Sequence, residues 1–141
     1  MADDPHDLKR FVDTQDPIYT RVVSELRAGV KQSHWMWFIF PQLGGLGHSA
    51  MSRRYAIASP DEAKAYLAHP ILGARLRECT ALVLAAKGHT LAEIFGDPDD
   101  MKFCSSMTLF AHAAPDESLF RAALEKCFGS DDKTLRLLGA A

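Results

Sequence analysis

The stretch Ser59–Leu67, SPDEAKAYL, decides the fold class. Ser59 is a favoured helix N-cap and Pro60 suits the first helical position. Glu62, three residues after the cap, completes a capping box, and Pro70 stops the helix a few residues later. This stretch therefore predicts a short helix with a defined beginning and end.

The same helix punctuation recurs along the chain. Thr90 and Glu93 form a second capping box, Asp16–Pro17 and Asp97–Pro98 each pair a cap residue with a proline, and Asp116 can cap a later helix. Apolar residues follow these signals at spacings of three and four, whereas the strict alternation typical of strands is absent over useful length. The pattern predicts an all-α fold.

The length of 141 residues is typical of one domain with a single core. We therefore expect a single compact multihelical domain of seven or eight short helices spanning residues 1–141. The polar start of the chain suggests disorder in residues 1–6.

Charge and targeting signals narrow the class of protein. The net charge is -2, and 16 Lys and Arg are scattered among 18 Asp and Glu, so we expect no extended nucleic-acid surface. The first 15 residues are acidic and polar, unlike a signal peptide, and no apolar run approaches the roughly 20 residues that span a bilayer. The sequence predicts a cytoplasmic protein that does not contact membranes. Its oligomeric state stays open.

Cysteine and histidine spacing argues against metals. Cys79, Cys104 and Cys127 lie far apart without CxxC spacing, and we expect all three to be reduced thiols in or near the core. The six His residues show neither HxxxH nor HxH spacing. We predict no metal site and no cofactor.

The most unusual segment is Ser33–Gly47, SHWMWFIFPQLGGLG. Its aromatic run, Trp35–Phe40, is either a strand or a buried helical turn that ends before Pro41. The glycines that follow permit positive φ and expose backbone N–H groups. Packed aromatic side chains usually belong to the core. Aromatic rings beside free backbone N–H groups are also suited to bind a ligand that has a flat ring and phosphates. Both interpretations stay open.

A second candidate is Lys102–Thr108, KFCSSMT, inside a predicted helix. Ser and Thr compete with the helix backbone for hydrogen bonds, so several hydroxyl residues here need a reason. They either allow neighbouring helices to approach closely or, with Lys102, contact a polar ligand. A third candidate is the Arg54–Tyr55 pair, because Arg binds phosphate bidentately.

These segments supply the predicted site residues. The candidates for proton transfer are His34 and Asp132, although Asp132 is also well placed to cap the last helix. The candidates for ligand binding are aromatic, amide, glycine, basic and hydroxyl residues: Trp35, Trp37, Gln42, Gly44, Gly45, Arg54, Tyr55, Lys102, Ser105 and Ser106.

The motifs HWMWFIFPQ, RYAI, SPDEAKAYLAHPILGARL, SSMTLF and DKTL together resemble a bacterial family called domain of unknown function 1810. The resemblance covers nearly the whole chain and implies a small all-helical domain. It implies no established activity.

A more remote similarity links the order of these segments to helical domains that process ADP-ribose or related N-glycosides. The corresponding pieces are His34–Gln42, Ser59–Leu67 and Asp100–Phe110. The aromatic block lacks a Glu that would act as the general base, so His34 would have to take that role.

Two functional hypotheses follow. In the first, the protein is an N-glycoside hydrolase whose Trp35, Trp37 and glycine turn hold a nucleotide or ADP-ribose-like ligand, with Arg54 and Lys102 on its phosphates. In the second, the same pocket senses a metabolite, or docks a partner protein, without turnover.

Overall fold

The computed structural model describes residues 4–139 and confirms the all-α prediction. Leu43 and Ile57 form an isolated parallel bridge, and no strand forms within residues 4–139. The ten helices of this range are α1 (Lys9–Gln15), α2 (Tyr19–Ala28), α3 (Met36–Ile39), α4 (Ala50–Arg54), α5 (Pro60–Ala68), α6 (Leu72–Ala85), α7 (Leu91–Phe95), α8 (Asp99–Ala113), α9 (Ser118–Lys126) and α10 (Asp132–Leu138).

The helix count exceeds the predicted seven or eight because of α3 and α4. These helices have four and five residues, too few to display a 3.6-residue apolar period. The aromatic run around α3 is thus a single helical turn rather than a strand. It ends at Phe40, whose ψ of 73° leaves helical geometry before Pro41.

Two of the five predicted caps are present, those at Ser59 and Thr90. The Ser59 hydroxyl accepts a hydrogen bond from the Glu62 amide at 3.1 Å, and Thr90 and Glu93 form a complete capping box. At α5 the reciprocal half of the box is shifted, because the Glu62 carboxylate accepts from the amide of Ala58 rather than from that of Ser59.

Three predicted caps, at Asp16, Asp97 and Asp116, are wrong. Helix α8 begins at Asp99 after Pro98 and has no side-chain cap. Asp16 binds Arg75 at 2.8 Å, and α2 begins only at Tyr19. Asp116 does not cap α9, which follows Glu117 without a side-chain cap, and Glu117 binds Arg77 instead.

The long helix α8 occupies the centre and packs against α3, α5, α7, α9 and α10. Its Phe103 ring lies 5.0 Å from that of Phe40 and 5.1 Å from that of Phe95, centroid to centroid. Full burial of one such ring contributes about 1.5–3 kcal/mol. This aromatic contact fixes the segment around α3 against the start of α8.

Arg10 joins the first helix to the middle of the chain. Its guanidinium donates to the carbonyls of Arg54 at 2.8 Å and Ala56 at 2.9 Å, and it binds the buried Glu62 carboxylate at 2.8 Å. At the start of the chain, the Asp4 carboxylate accepts from the Leu8 amide at 2.8 Å. Residues 1–3 of the segment expected to be disordered lie outside the described residues.

The prediction of three reduced cysteines is wrong for two of them. Cys104 and Cys127 form a disulfide with a Cα–Cα distance of 5.9 Å, and only Cys79 is a free, buried thiol. Packing of α9 on α8 brings together two residues that are 23 positions apart, and their spacing in the sequence contains no sign of it.

No helix in the described part of the chain is both long and apolar enough to cross a membrane.

Candidate functional site

Trp35 is a structural residue. Its side chain is 1% exposed, and its indole Nε1 donates to the Glu25 carboxylate at 2.9 Å. The same carboxylate accepts from the amides of Gln32 and Ser33 and from the Ser33 hydroxyl. Glu25 therefore ties the loop before α3 to the end of α2.

This bonding also controls the ionisation of Glu25. Burial raises the pKa of the carboxyl group, but the hydrogen bonds from Ser33, Gln32 and Trp35 outweigh burial and lower the pKa to about 2. The carboxylate is charged at neutral pH and has acceptor bonds on both oxygens.

Trp37, two residues later, has the opposite character. Its ring is half-buried and lies under the Lys102 ammonium, with Nζ 5.1 Å from the ring centroid. Its indole Nε1 is buried and has no hydrogen-bond partner among residues 4–139. A buried donor without an acceptor costs about 1–3 kcal/mol, so this N–H requires an explanation.

The hydroxyl residues of α8 also include both hydrogen-bonded and unpaired side chains. Ser105 donates to the Met101 carbonyl at 3.1 Å and Thr108 to the Cys104 carbonyl at 2.8 Å, as helical Ser and Thr commonly do. Ser106 is fully buried, and its hydroxyl has no partner.

Helical geometry relates Ser106 to Trp37. Residues four apart share a helix face, so Ser106 lies one turn after Lys102, whose ammonium lies over the Trp37 ring. Helical side chains point back toward the N-terminus, which directs the Ser106 side chain over the Lys102 turn.

Charged side chains surround the two indoles. Asp99 binds Lys31 at 2.9 Å and contacts Lys102 at 3.4 Å, and the Lys31 ammonium lies 5.4 Å from the Trp35 ring centroid. The two ammonium groups thus share the Asp99 carboxylate, while the charged Glu25 carboxylate binds the Trp35 indole. We call the following residues the indole cluster: Lys31, Trp35, Trp37, Asp99, Lys102 and Ser106.

The glycine turn lines a cavity that most of the other predicted ligand-binding residues do not line. Gln42, Gly44 and Gly45 line a cavity of about 170 Å³ that also contains Arg53. The Gly44 amide is not free for a ligand, because it donates to the Ile57 carbonyl at 2.8 Å.

Arg54 and Tyr55 do not line that cavity. The Arg54 side chain is exposed, and its guanidinium lies 3.4 Å from the Tyr55 hydroxyl. Tyr55 is buried in the core, and its hydroxyl is hydrogen-bonded to Thr14 at 2.9 Å. The neighbouring Arg53 is the arginine that lines the cavity.

His34 and Asp132 are both exposed. Asp132 is the first residue of α10, and Asp131 caps that helix by accepting from the Thr134 amide at 3.0 Å. Within residues 4–139 no hydrogen bond joins His34 to an acidic side chain, and no group of three His, Cys, Asp or Glu side chains is arranged to hold a metal ion.

A larger cleft, of about 600 Å³, was not anticipated from the sequence. We call it the disulfide cleft, because Cys104 and Cys127 line it together with Met101, Lys126 and Phe128. Phe128 is 98% exposed and Met101 62% exposed. The cleft forms only when α7, α8 and α9 come together, and no local motif encodes it.

These features define a class of protein: an all-α domain with an indole cluster on its central helix and a disulfide beside a cleft of about 600 Å³. The chain belongs to the family described as protein of unknown function (DUF1810), whose model matches residues 5–138. This confirms the resemblance found in the motifs.

A solved structure extends the comparison. The chain is similar to the conserved hypothetical protein Rv1873 from Mycobacterium tuberculosis, whose crystal structure was determined at 1.38 Å. The two are 56% identical over 98% of this chain and 100% of the other, with a TM-score of 0.95. No curated protein matches the chain.

Proposed function

We propose that the protein binds a small anionic ligand of the nucleotide or ADP-ribose type at the indole cluster. The observation that carries the proposal is the pair of buried polar atoms without partners, Trp37 Nε1 and Ser106 Oγ. Native proteins rarely leave such atoms unpaired, and a bound molecule would satisfy them.

The chemistry of the unpaired atoms indicates what the ligand must offer. An indole N–H only donates, so its missing partner is a hydrogen-bond acceptor. Lys102 beside it and Lys31 nearby favour an acceptor with negative charge. The half-buried Trp37 ring offers an aromatic face to a base or sugar ring. A phosphate or carboxylate attached to a flat ring meets these three requirements.

Binding without turnover is the form of the proposal that the geometry favours. N-glycoside hydrolysis needs an acid or base held within hydrogen-bond reach of the scissile bond. His34 and Asp132 would supply it, but both are exposed and no hydrogen bond to an acidic side chain orients His34. A metabolite-sensing role requires only the indole cluster.

The test is isothermal calorimetry and thermal shift with AMP, ADP, ADP-ribose, NAD and inorganic phosphate. We expect at least one nucleotide to bind wild type. Trp37→Phe keeps the ring but removes the N–H, and Ser106→Ala removes the hydroxyl. Each should weaken binding about 10-fold or more, because a hydrogen bond to a charged group contributes about 1.5–3 kcal/mol.

Lys87→Met provides the matched control, since Lys87 is exposed and lies after α6, outside the indole cluster. It should bind like wild type. If no compound in the panel binds wild type, or if Trp37→Phe and Ser106→Ala bind as tightly as wild type, the proposal is wrong. A protein partner then becomes the alternative.

A further inference from the structure

We propose that Cys104 and Cys127 form a reversible thiol–disulfide site, which exchanges with low-molecular-weight thiols that enter the disulfide cleft. The inference is independent of nucleotide binding at the indole cluster. It concerns two residues that have no part in the proposed function.

The position of the two sulfurs supports exchange rather than a purely structural bond. Both cysteines are only half-buried, and both line the cleft. Its volume of about 600 Å³ lies within the range that accommodates small organic ligands, so a molecule the size of a tripeptide thiol can reach the disulfide. A disulfide buried in the core would have no such access.

Cys79 supplies an internal contrast. It is fully buried, and burial raises the pKa of its thiol to about 12. Thiolate, not thiol, is the reactive form, so Cys79 should be inert at neutral pH. The chain thus combines one protected cysteine with a pair that faces an open cleft.

The backbone around Cys127 makes its sulfur the preferred point of attack. Cys127 ends α9 and is followed by Phe128, which has a φ of 61° and is almost completely exposed. Cys104 lies inside α8, where the helix on both sides of it holds the backbone. Lys126 also lines the cleft and attracts the carboxylates of an incoming thiol such as glutathione, while Asp100 and Asp131 repel them, so access to the cleft rather than charge carries the inference.

The exchange proceeds in two balanced steps. A thiolate attacks Cys127 Sγ, forms a mixed disulfide and breaks the bond to Cys104, which leaves as thiolate and takes a proton from water. A second thiolate attacks the sulfur of the small thiol in the mixed disulfide and releases the Cys127 thiolate. The protein gains two electrons, and two small thiols become one small disulfide. Oxidation is the reverse.

Reduction should change the cleft without unfolding the protein. Three hydrogen bonds independently hold the segment after α9: Phe128 N to Glu125 O, Gly129 N to Leu124 O, and Asp131 N to Thr108 Oγ1 at 2.8 Å. The reduced cleft would therefore present two thiols on nearly the same framework.

The test exposes the full chain to buffers of varied glutathione to glutathione-disulfide ratio, then quenches with acid, alkylates and measures the mass. As the ratio rises, we expect two newly alkylated thiols in the native chain. Cys79 should be alkylated only after denaturation. Circular dichroism should show that helix content is retained.

Single variants identify the attacked sulfur. In Cys104→Ser, glutathione disulfide should form one mixed disulfide at Cys127, in at least 10-fold greater yield than at Cys104 in the matched Cys127→Ser. Cys79→Ser should leave exchange unchanged. The proposal is overturned if glutathione reduces the bond only in denaturant, if the two cysteines stay unpaired at every ratio, or if neither variant forms a mixed disulfide.

Discussion

Trp35 and Trp37 are separated by a single residue, yet their indole N–H groups differ in hydrogen bonding. The Trp35 indole binds a carboxylate that accepts four hydrogen bonds, whereas the Trp37 indole has no partner. The difference teaches that one aromatic motif can tie one ring into the core through its N–H and leave the N–H of another ring available for the ligand proposed above. The predictions below test this contrast.

The largest effect should come from Glu25→Ala. It removes the acceptor of Trp35 Nε1 and of two loop amides, and leaves buried donors unpaired. We expect the free energy of unfolding to fall by about 3–5 kcal/mol in urea denaturation, as when one partner of a buried charged network is lost. Glu25→Gln, which keeps one acceptor oxygen, should lose less. A loss below about 1 kcal/mol for the alanine variant would contradict the structural role.

Lowering the pH should reduce the free energy of unfolding through the same carboxylate, Glu25. The pKa of Glu25 is about 2 in the folded protein against 4.5 for the free side chain, so its contribution is complete above pH 4.5 and is lost as the pH falls toward 2. The difference corresponds to about 3 kcal/mol of unfolding free energy. Urea midpoints measured between pH 6 and 2 should show this loss, and Glu25→Gln should reduce the slope. Equal slopes in both proteins would assign the acid sensitivity to other groups.

Phenylalanine substitutions compare the two indoles directly. Trp35→Phe loses a charged hydrogen bond and leaves a cavity, and should cost about 2–3 kcal/mol. Trp37→Phe removes an unpaired donor, and the ligand-free protein should change by less than about 1 kcal/mol. Thermal unfolding of both variants measures the difference. Similar losses would mean that Trp37 Nε1 already has a partner, such as an ordered water.

The smallest effect should appear on α8. Ser106→Ala removes a hydroxyl without a partner and should be neutral or slightly stabilising without ligand. Thr108→Val has a similar shape but breaks bonds to Cys104 O and Asp131 N, and should cost about 1–2 kcal/mol. Chemical denaturation separates the two. If Ser106→Ala were the more harmful change, the idea of an unsatisfied hydroxyl would fail.

Most helices were predicted from the sequence because a capping signal involves residues within one helical turn. The Ser59 and Thr90 caps each involve a partner only three residues away. The helices α3 and α4 were missed because they are too short to show periodicity.

The candidate site was only partly predictable, since its contacts are set by the tertiary fold. Trp37, Lys102 and Ser106 were singled out from the sequence, and the structure brings the Lys102 ammonium over the Trp37 ring, one helical turn before Ser106. Glu25 was missed because an acidic residue in an amphipathic helix is normally solvated, and its partners lie in a later loop. The cleft beside Cys104 required the packing of three helices.

Arg10 has a consequence for how the chain can be cut or extended. Removal of residues 1–16 would delete Arg10. The buried Glu62 carboxylate would lose its arginine partner, and two backbone carbonyls near α4 would lose their donor. The first helix is therefore an integral part of the minimal folding unit, not a dispensable leader. An expression boundary belongs before Asp4, whose carboxylate holds the first turn of α1.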